Sequence, residues 1–177
     1  MNKFAPAWSV PVAVDDVAET GLHMEIEASA EARAGIAAVA GLRDLSLLTA
    51  VFDLTKLGSR VAVTGQVSAT VGQTCVVTLE PIENSIEESV DLTFAPLPAG
   101  ASAEADSRGK GADEPPEPLV GGVIDLGAVA TEFLLLGIDP YPRKEGAQFA
   151  APKAGDDGPN PFAALEALKK RQGSERS

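Results

Sequence analysis

The sequence is poor in the residues that most often carry chemistry. Its 177 residues include one cysteine, Cys75, and one histidine, His23. A single cysteine excludes a disulfide within the chain and any zinc site built from several cysteines. Aromatic residues make up only 5% of the chain, and the sheet-borne aromatic platform of an RNA-stacking module is missing. We therefore expect no catalytic residue, no metal site and no cofactor.

Long apolar runs and positive charge are also scarce. No stretch approaches the roughly 18 apolar residues of a membrane span. The first residues lack the apolar run of a secretory signal, so we expect a cytoplasmic protein without membrane contact. The 14 basic residues stand against 26 acidic ones, a formal net charge of −12. A field of that sign repels phosphate backbones and suits a basic protein partner.

Apolar residues are plentiful and alternate as in β-strands. They make up 45% of the chain, which is enough for a core. The runs 45–57 and 60–74 flank the turn signal Gly58-Ser59 and predict a hairpin. Their inward-facing residues are predicted to be Leu48, Ala50, Phe52 and Leu54 in the first run, and Val61, Val63, Gly65, Val67, Ala69 and Val71 in the second. Further strands are predicted at 8–14, 23–28, 85–94 and 119–124.

Capping signals predict three helices. Ser29 and Gly41 delimit a helix at 30–40, Asp125 begins one that ends near 136, and Asn160 precedes one at 161–171. The segment 97–118 has the composition of a flexible acidic linker. We predict an α+β fold, with a mainly antiparallel β-sheet or a partly closed barrel and a few short helices. The predicted organisation is one domain at 1–142 and a flexible tail at 143–177.

Two isolated residues have the side chains of catalytic groups. Cys75 has no partner thiol, since Thr78 stands where a redox or zinc motif would place a second cysteine. We interpret Cys75 as a buried structural residue. His23 shares a predicted strand face with Glu25 and Glu27, and no nucleophile can be assigned to it. We interpret it as a surface histidine on an edge strand.

An acidic run lies on the strand that follows the Cys75 segment. Its members are Glu83, Glu87, Glu88 and Asp91. Paired carboxylates can act as acid and base or bind divalent cations. A metal loop needs closely alternating Asp or Asn with a Gly at its turn, and that pattern is absent. We predict a solvated strand face that binds a basic partner; the alternative is a metal-dependent enzyme.

The predicted C-terminal helix is amphipathic. Phe162, Leu165 and Leu168 form an apolar stripe, and Lys169, Lys170 and Arg171 follow at its end. One interpretation is a capped helix whose cations complement its dipole. The other is a docking helix on a flexible tether, because so short a helix gains stability by docking. Segment 143–177 carries 7 basic and 5 acidic residues, so any direct RNA contact is expected there.

Three segments resemble the YceD family. The segment 73–81 resembles a Cys-x-Arg-Cys-Leu-x-Pro-like motif of that family, with matches at Cys75, Leu79 and Pro81. Segments 125–142 and 160–170 resemble the family's later helix with its Pro-rich exit and its C-terminal signature. Val77 and Thr78 replace the Arg and second Cys of many members, so a role of paired cysteines does not carry over. Single-cysteine versions resemble the alphaproteobacterial branch.

The resemblance implies a ribosome biogenesis factor that supports accumulation of large-subunit ribosomal RNA by binding rather than catalysis. The implied partners are ribosomal proteins or the large-subunit precursor particle, with rRNA contacted indirectly or through the tail. Two alternatives stay open. One is a metal-dependent RNA-processing enzyme that uses the acidic run, and the other is an acidic scaffold for a non-ribosomal basic protein.

Overall fold

The computed structural model describes residues 7–96 and 116–149. Within these ranges the chain forms seven strands, two α-helices and one short 3-10 turn. The strands are β1 (Pro11–Ala13), β2 (Leu22–Glu27), β3 (Asp44–Leu57), β4 (Arg60–Thr74), β5 (Pro81–Pro96), β6 (Glu117–Leu119) and β7 (Val123–Asp125). The helices are α1 (Ala30–Ala40) and α2 (Leu126–Gly137), and the 3-10 turn is Val14–Asp16. The described residues up to Ala147 belong to one compact unit.

Five strands form one sheet in the order β2-β3-β4-β5-β6. Neighbouring strands are antiparallel except for the short parallel pair β5-β6. Strands β1 and β7 pair antiparallel as a separate ribbon. The predicted α+β fold with a mainly antiparallel sheet is confirmed. In the part of the chain that the structure describes, the sheet stays open, with β2 and β6 as its outermost strands, and no closed barrel forms.

The hairpin β3-β4 is the centre of the sheet and was predicted correctly. Gly58 takes a positive φ of 66° in the turn, a conformation that glycine adopts without steric cost. The inward-facing side chains of both strands are buried as the alternation predicted, except that Gly65 has no side chain to bury. A register shift between Leu45 and Leu47 lets Leu45 and Leu48 both point inward.

Gly65 is required by close packing within this hairpin. It lies opposite Phe52, the largest fully buried side chain of the described core. A Cβ at Gly65 would lie 2.9 Å from Cδ1 of Phe52 and would also meet the carbonyl oxygen of Val51. The glycine therefore makes room for the large Phe52 ring beside the aliphatic side chains of the hairpin.

Both helices cover the inner face of the sheet, and both begin where the capping signals predicted. The Ser29 hydroxyl accepts from the Ala32 amide at 3.2 Å, and Gly41 ends α1 with φ 67°. Helix α1 packs on β3, and α2 packs on β4 and β5. At its end α2 approaches β5 so closely that a Cβ on Gly137 would lie 2.6 Å from Cγ2 of Ile86.

Several predicted boundaries were wrong. The first strand, predicted at 8–14, is confined to Pro11–Ala13 because the chain turns into the 3-10 turn after it. Strand β5 begins at 81 rather than 85, since a proline fits the first position of a strand. The predicted strand at 119–124 is divided into β6 and β7 by Gly121-Gly122, and β6 overlaps the end of the predicted linker.

The predicted apolar stripe of α2 is correct only in part. Leu126 and Val129 are buried, Phe133 is half-buried, and Leu136 is 74% exposed. Leu134 is buried instead, because the side of α2 that meets the sheet at this end carries Ala130, Leu134 and Gly137. The predicted helix at 161–171 lies outside the described residues.

Candidate functional site

The outer face of the sheet, opposite the helices, is not covered by any described segment. It is formed by every second residue of β2, β3, β4 and β5, in rows set by the strand register. One row runs from Glu27 through Thr49 and Ser68 to Glu87. Most of these side chains are small and polar, and two apolar ones, Leu47 and Val51, are 41% and 38% exposed. This face is available to a partner.

The outer face is acidic. Arg60 lies at the turn end of this face, and none of the outward-facing positions within 22–27, 47–55, 62–74 and 82–93 carries Lys or Arg. The acidic residues at these positions are all exposed, and they are Glu25, Glu27, Asp53, Glu83, Glu87 and Asp91. The electrostatic potential over this face is therefore negative and attracts basic groups.

The acidic run identified in the sequence is divided between the two faces of the sheet. Glu83, Glu87 and Asp91 lie on the outer face, four residues apart and hence about 13 Å from one to the next along the strand. Glu88 lies on the inner face and is half-buried. A Cβ on Gly137 of α2 would lie 2.7 Å from its Oε1. The structure thus brings three of the four carboxylates to one surface and separates the fourth.

The β4-β5 loop, residues 75–80, carries the family-like motif. The Cys75 amide donates to the Glu80 carbonyl at 2.9 Å and closes the loop. The loop is held against the segment that follows α2, because the Val76 amide donates to the Pro142 carbonyl at 2.9 Å. An exposed ion pair adds to this contact, with Lys144 Nζ 2.9 Å from Glu80 Oε2. This pairing raises the pKa of Lys144 and lowers that of Glu80.

Cys75 is fully buried, as predicted, and its sulfur accepts hydrogen bonds. The Lys144 amide donates to Sγ at 3.3 Å and the Thr78 amide at 3.4 Å. The Lys144 amide, followed by the Thr78 hydroxyl and amide, stabilises the thiolate and lowers the pKa of Cys75 to about 6. No solvent reaches the sulfur. The hydrogen bonds to Sγ therefore serve to hold the loop on residues 142–144.

The tip of the β4-β5 loop is apolar and strained. Leu79 has a positive φ of 61°, which is costly for a residue with a side chain, and it is 75% exposed. Val76 in the same loop and Tyr141 in the segment bound to it are 44% and 71% exposed. Pro81 ends the motif as the first residue of β5. The motif residues therefore have separate roles, with Cys75 buried, Leu79 exposed and Pro81 in the sheet.

His23 lies on edge strand β2 and is exposed, as the sequence predicted. Its Nδ1 is 2.7 Å from Oδ1 of Asp53, its neighbour across the strands, and its Nε2 is 3.6 Å from Oε1 of Glu25. The Asp53 hydrogen bond and charge raise the pKa of His23. At low pH this pair adds a positive charge to the otherwise acidic outer face.

A groove of about 390 Å³ lies between α2 and the end of β5. Its apolar lining includes Leu92, Phe94, Val129 and Phe133, and Glu132 contributes a carboxylate. Glu117 and Asp125 add two further carboxylates, so apolar and acidic side chains line the groove together. No group of three or more metal-binding side chains occurs among the described residues.

The sequence did not reveal several of these features. The contacts of Cys75 with Lys144 join residues 69 positions apart, and no local pattern signals them. The split of the acidic run could have been found, since Glu87 and Glu88 are adjacent on a strand and must face opposite ways. The partner-binding residues predicted at Phe162, Leu165, Leu168 and 169–171 lie outside the described residues, and their role stays a prediction.

The fold and surfaces define an acidic α+β domain with an open, mainly antiparallel sheet. The model of the family described as "Large ribosomal RNA subunit accumulation protein YceD" matches residues 63–169. This span covers most of β4 and all of β5, the Cys75 loop and α2, and the chain belongs to the YceD family. No curated protein and no solved structure shows significant similarity to the chain. None of the described helices is long and apolar enough to cross a membrane.

Proposed function

We propose that this protein supports accumulation of large-subunit ribosomal RNA by binding a basic ribosomal protein or a large-subunit precursor particle in the cytoplasm. The family description links the chain to ribosome biogenesis. The observation that carries the binding mechanism is the uncovered outer face, whose charged positions within 22–27, 47–55, 62–74 and 82–93 are acidic apart from His23. Ribosomal proteins are strongly basic, and complementary charge speeds encounter and fixes orientation.

The same charge distribution disfavours the outer face as an RNA surface. Phosphate backbones are attracted by Lys and Arg, and of these the outer-face positions of the four strands carry only Arg60, at the turn end of β4. On this proposal the acidic domain holds a basic protein, and rRNA is contacted through that protein or through the basic tail 143–177.

The geometry gives little support to a metal-dependent RNA-processing enzyme. Glu87 and Asp91 are about 13 Å apart along β5, which is too far for one cation to bridge, and Glu88 faces the other side of the sheet. The alternative of a scaffold for a non-ribosomal basic protein uses the same face and differs only in the partner.

Sedimentation of cell lysate on a sucrose gradient tests this proposal. We expect the full chain in fractions that contain large-subunit precursors, and a shift to the top of the gradient after Glu87→Lys and Asp91→Lys. If the unaltered chain stays at the top and binds a basic protein that is not ribosomal, the scaffold alternative replaces the proposal. Metal-dependent cleavage of rRNA that Glu87→Ala and Asp91→Ala abolish would replace it with the enzyme.

A further inference from the structure

The edge of β5 is open over most of its length. Strand β5 pairs with β4 along 81–94, but on its other side it pairs with β6 only at 94–96. Among the described residues, no backbone hydrogen bond outside this β4-β5 pairing involves positions 81–93. Every second peptide group of an antiparallel edge strand points away from its neighbour. About half of the peptide groups from 81 to 93 are therefore free to pair with another strand.

This edge lacks the usual devices that prevent strand addition. Proteins protect edges with prolines, lysines, bulges or short strands. Between Ile82 and Thr93 there is no Pro and no Lys, and the β4-β5 register runs from Pro81 to Phe94 without a shift. The open edge is also longer than that of β2, which has six residues. Between Ile82 and Thr93 the protection on β5 comes from charge, carried by the outward-facing carboxylates and by Glu88 on the inner face.

That charge selects among partners. A second copy pairing antiparallel about Glu87 would place Glu83 opposite Asp91 and Glu87 opposite its own equivalent, and like charges directly opposite each other are destabilising. A strand with Lys or Arg at every fourth position would instead place each cation opposite a carboxylate. Strand β6 occupies the edge from Phe94 onward, so the incoming strand is limited to about 12 residues.

We infer that β5 is a strand-addition site that binds an extended basic segment of the partner, with Lys or Arg at every fourth position opposite Glu83, Glu87 and Asp91. The inference rests on the proposed function and specifies how its partner is held. Backbone hydrogen bonds supply the affinity, and the three carboxylates supply the selectivity for a basic strand.

The experiment uses the full chain and two synthetic twelve-residue peptides. The first alternates Lys and Thr. The second has the same Lys residues but has Pro in place of three of the Thr residues, so it keeps the charge and loses the ability to pair as a strand. Binding is measured by titration at low salt, and amide hydrogen exchange is followed by NMR with and without peptide.

We expect the Lys-Thr peptide to protect every second amide between Ile82 and Thr93, because only the amides that point away from β4 gain a partner. Glu87→Lys with Asp91→Lys is expected to weaken binding about tenfold or more. The matched control is Glu25→Lys with Glu27→Lys, which makes the same charge change on the same face at the opposite edge. It is expected to change binding by about twofold at most.

Three results would overturn the inference: equal binding of the Pro-containing peptide, no alternating protection on β5, or equal sensitivity to the control pair. None of them bears on the gradient experiment. A chain that sediments with large-subunit precursors but fails the peptide test would retain the proposed function and lose the strand-addition site. A chain that binds the peptide but does not sediment with large-subunit precursors would retain the strand-addition site and lose the proposed function.

Discussion

We expect the removal of the Asp125 carboxylate to destabilise the domain strongly, because this one small side chain accepts four hydrogen bonds. Its Oδ1 accepts from the amides of Val10, Gly127 and Ala128 at 2.8, 3.1 and 3.2 Å, and its Oδ2 accepts from the Ser9 hydroxyl at 2.6 Å. One carboxylate thus begins α2 and also fixes the segment before β1. Asp125→Ala removes both functions together.

The expected loss of stability in Asp125→Ala follows from these contacts. Loss of a helix N-cap costs about 1 kcal/mol. The Val10 amide, left without its partner in a partly buried position, adds about 1 kcal/mol, and the Ser9 hydroxyl is exposed enough to turn to water. A total of about 2 kcal/mol lowers Tm by roughly 4–8 °C for a chain of this size. Ser9→Ala is the matched control, because it removes one exposed hydrogen bond and leaves the cap intact.

The pH dependence of the effect has a defined sign. Burial would raise the pKa of Asp125, but the hydrogen bonds from Ser9, Val10, Ala128 and Gly127 outweigh it, and the pKa lies below its ordinary value. A depressed folded-state pKa contributes stability above the unfolded value, about 3.9, that is lost as pH falls through the folded value. The stability difference between the unaltered chain and Asp125→Asn should therefore be constant above about pH 5 and shrink in more acidic solution.

Urea unfolding of the full chain, followed by circular dichroism from pH 3 to pH 8, measures both effects. An Asp125→Ala variant within about 0.5 kcal/mol of the unaltered chain at pH 7 would refute the assigned role. If the stability difference between the unaltered chain and Asp125→Asn widened on acidification, the predicted sign of the pH dependence would be refuted.

Three further predictions concern the hairpin and its loop. Gly65→Ala should lower the free energy of unfolding by about 1–3 kcal/mol or more, because the new methyl group meets Phe52 and the neighbouring backbone; a thermal melt unchanged within 2 °C would contradict this. Leu79→Gly should raise the free energy of unfolding by up to about 1 kcal/mol in urea titrations, since it relieves a positive φ and removes only an exposed side chain; a clear loss of stability would show that the leucine packs. Alkylation of Cys75 by iodoacetamide at pH 8 should be slow in the native chain despite the lowered pKa, because the sulfur is buried, and fast in urea; equal rates, read by mass spectrometry, would contradict the buried position.

The parts of the fold that the sequence predicted well are those fixed by neighbouring residues. Alternation of apolar residues determines the hairpin β3-β4, and the side chain of Ser29 and the backbone freedom of Gly41 determine the ends of α1. Each of these signals acts over a few residues, so it can be read without knowing the rest of the chain.

The parts that the sequence did not predict depend on distant contacts. The first strand is short because β1 pairs only with β7, which is also three residues long. The exposed position of Leu136 follows from how α2 crosses the sheet, which its own periodicity does not specify. At the candidate site the acidic residues were identified, but the free edge of β5 follows from strand order, which alternation alone does not determine.

The pairing of β1 with β7 has a consequence for how the protein forms during synthesis. Strands β2 to β5 contact neighbours in sequence and can assemble as soon as about the first hundred residues have emerged. Ser9 and Val10 must wait for Asp125, which is made 116 and 115 residues later, and Cys75 must wait for Lys144. The growing chain therefore presents a sheet with an open, acidic β5 before its first residues are anchored. We expect a basic partner to reach this sheet while the chain is still being synthesised, before β1 pairs with β7.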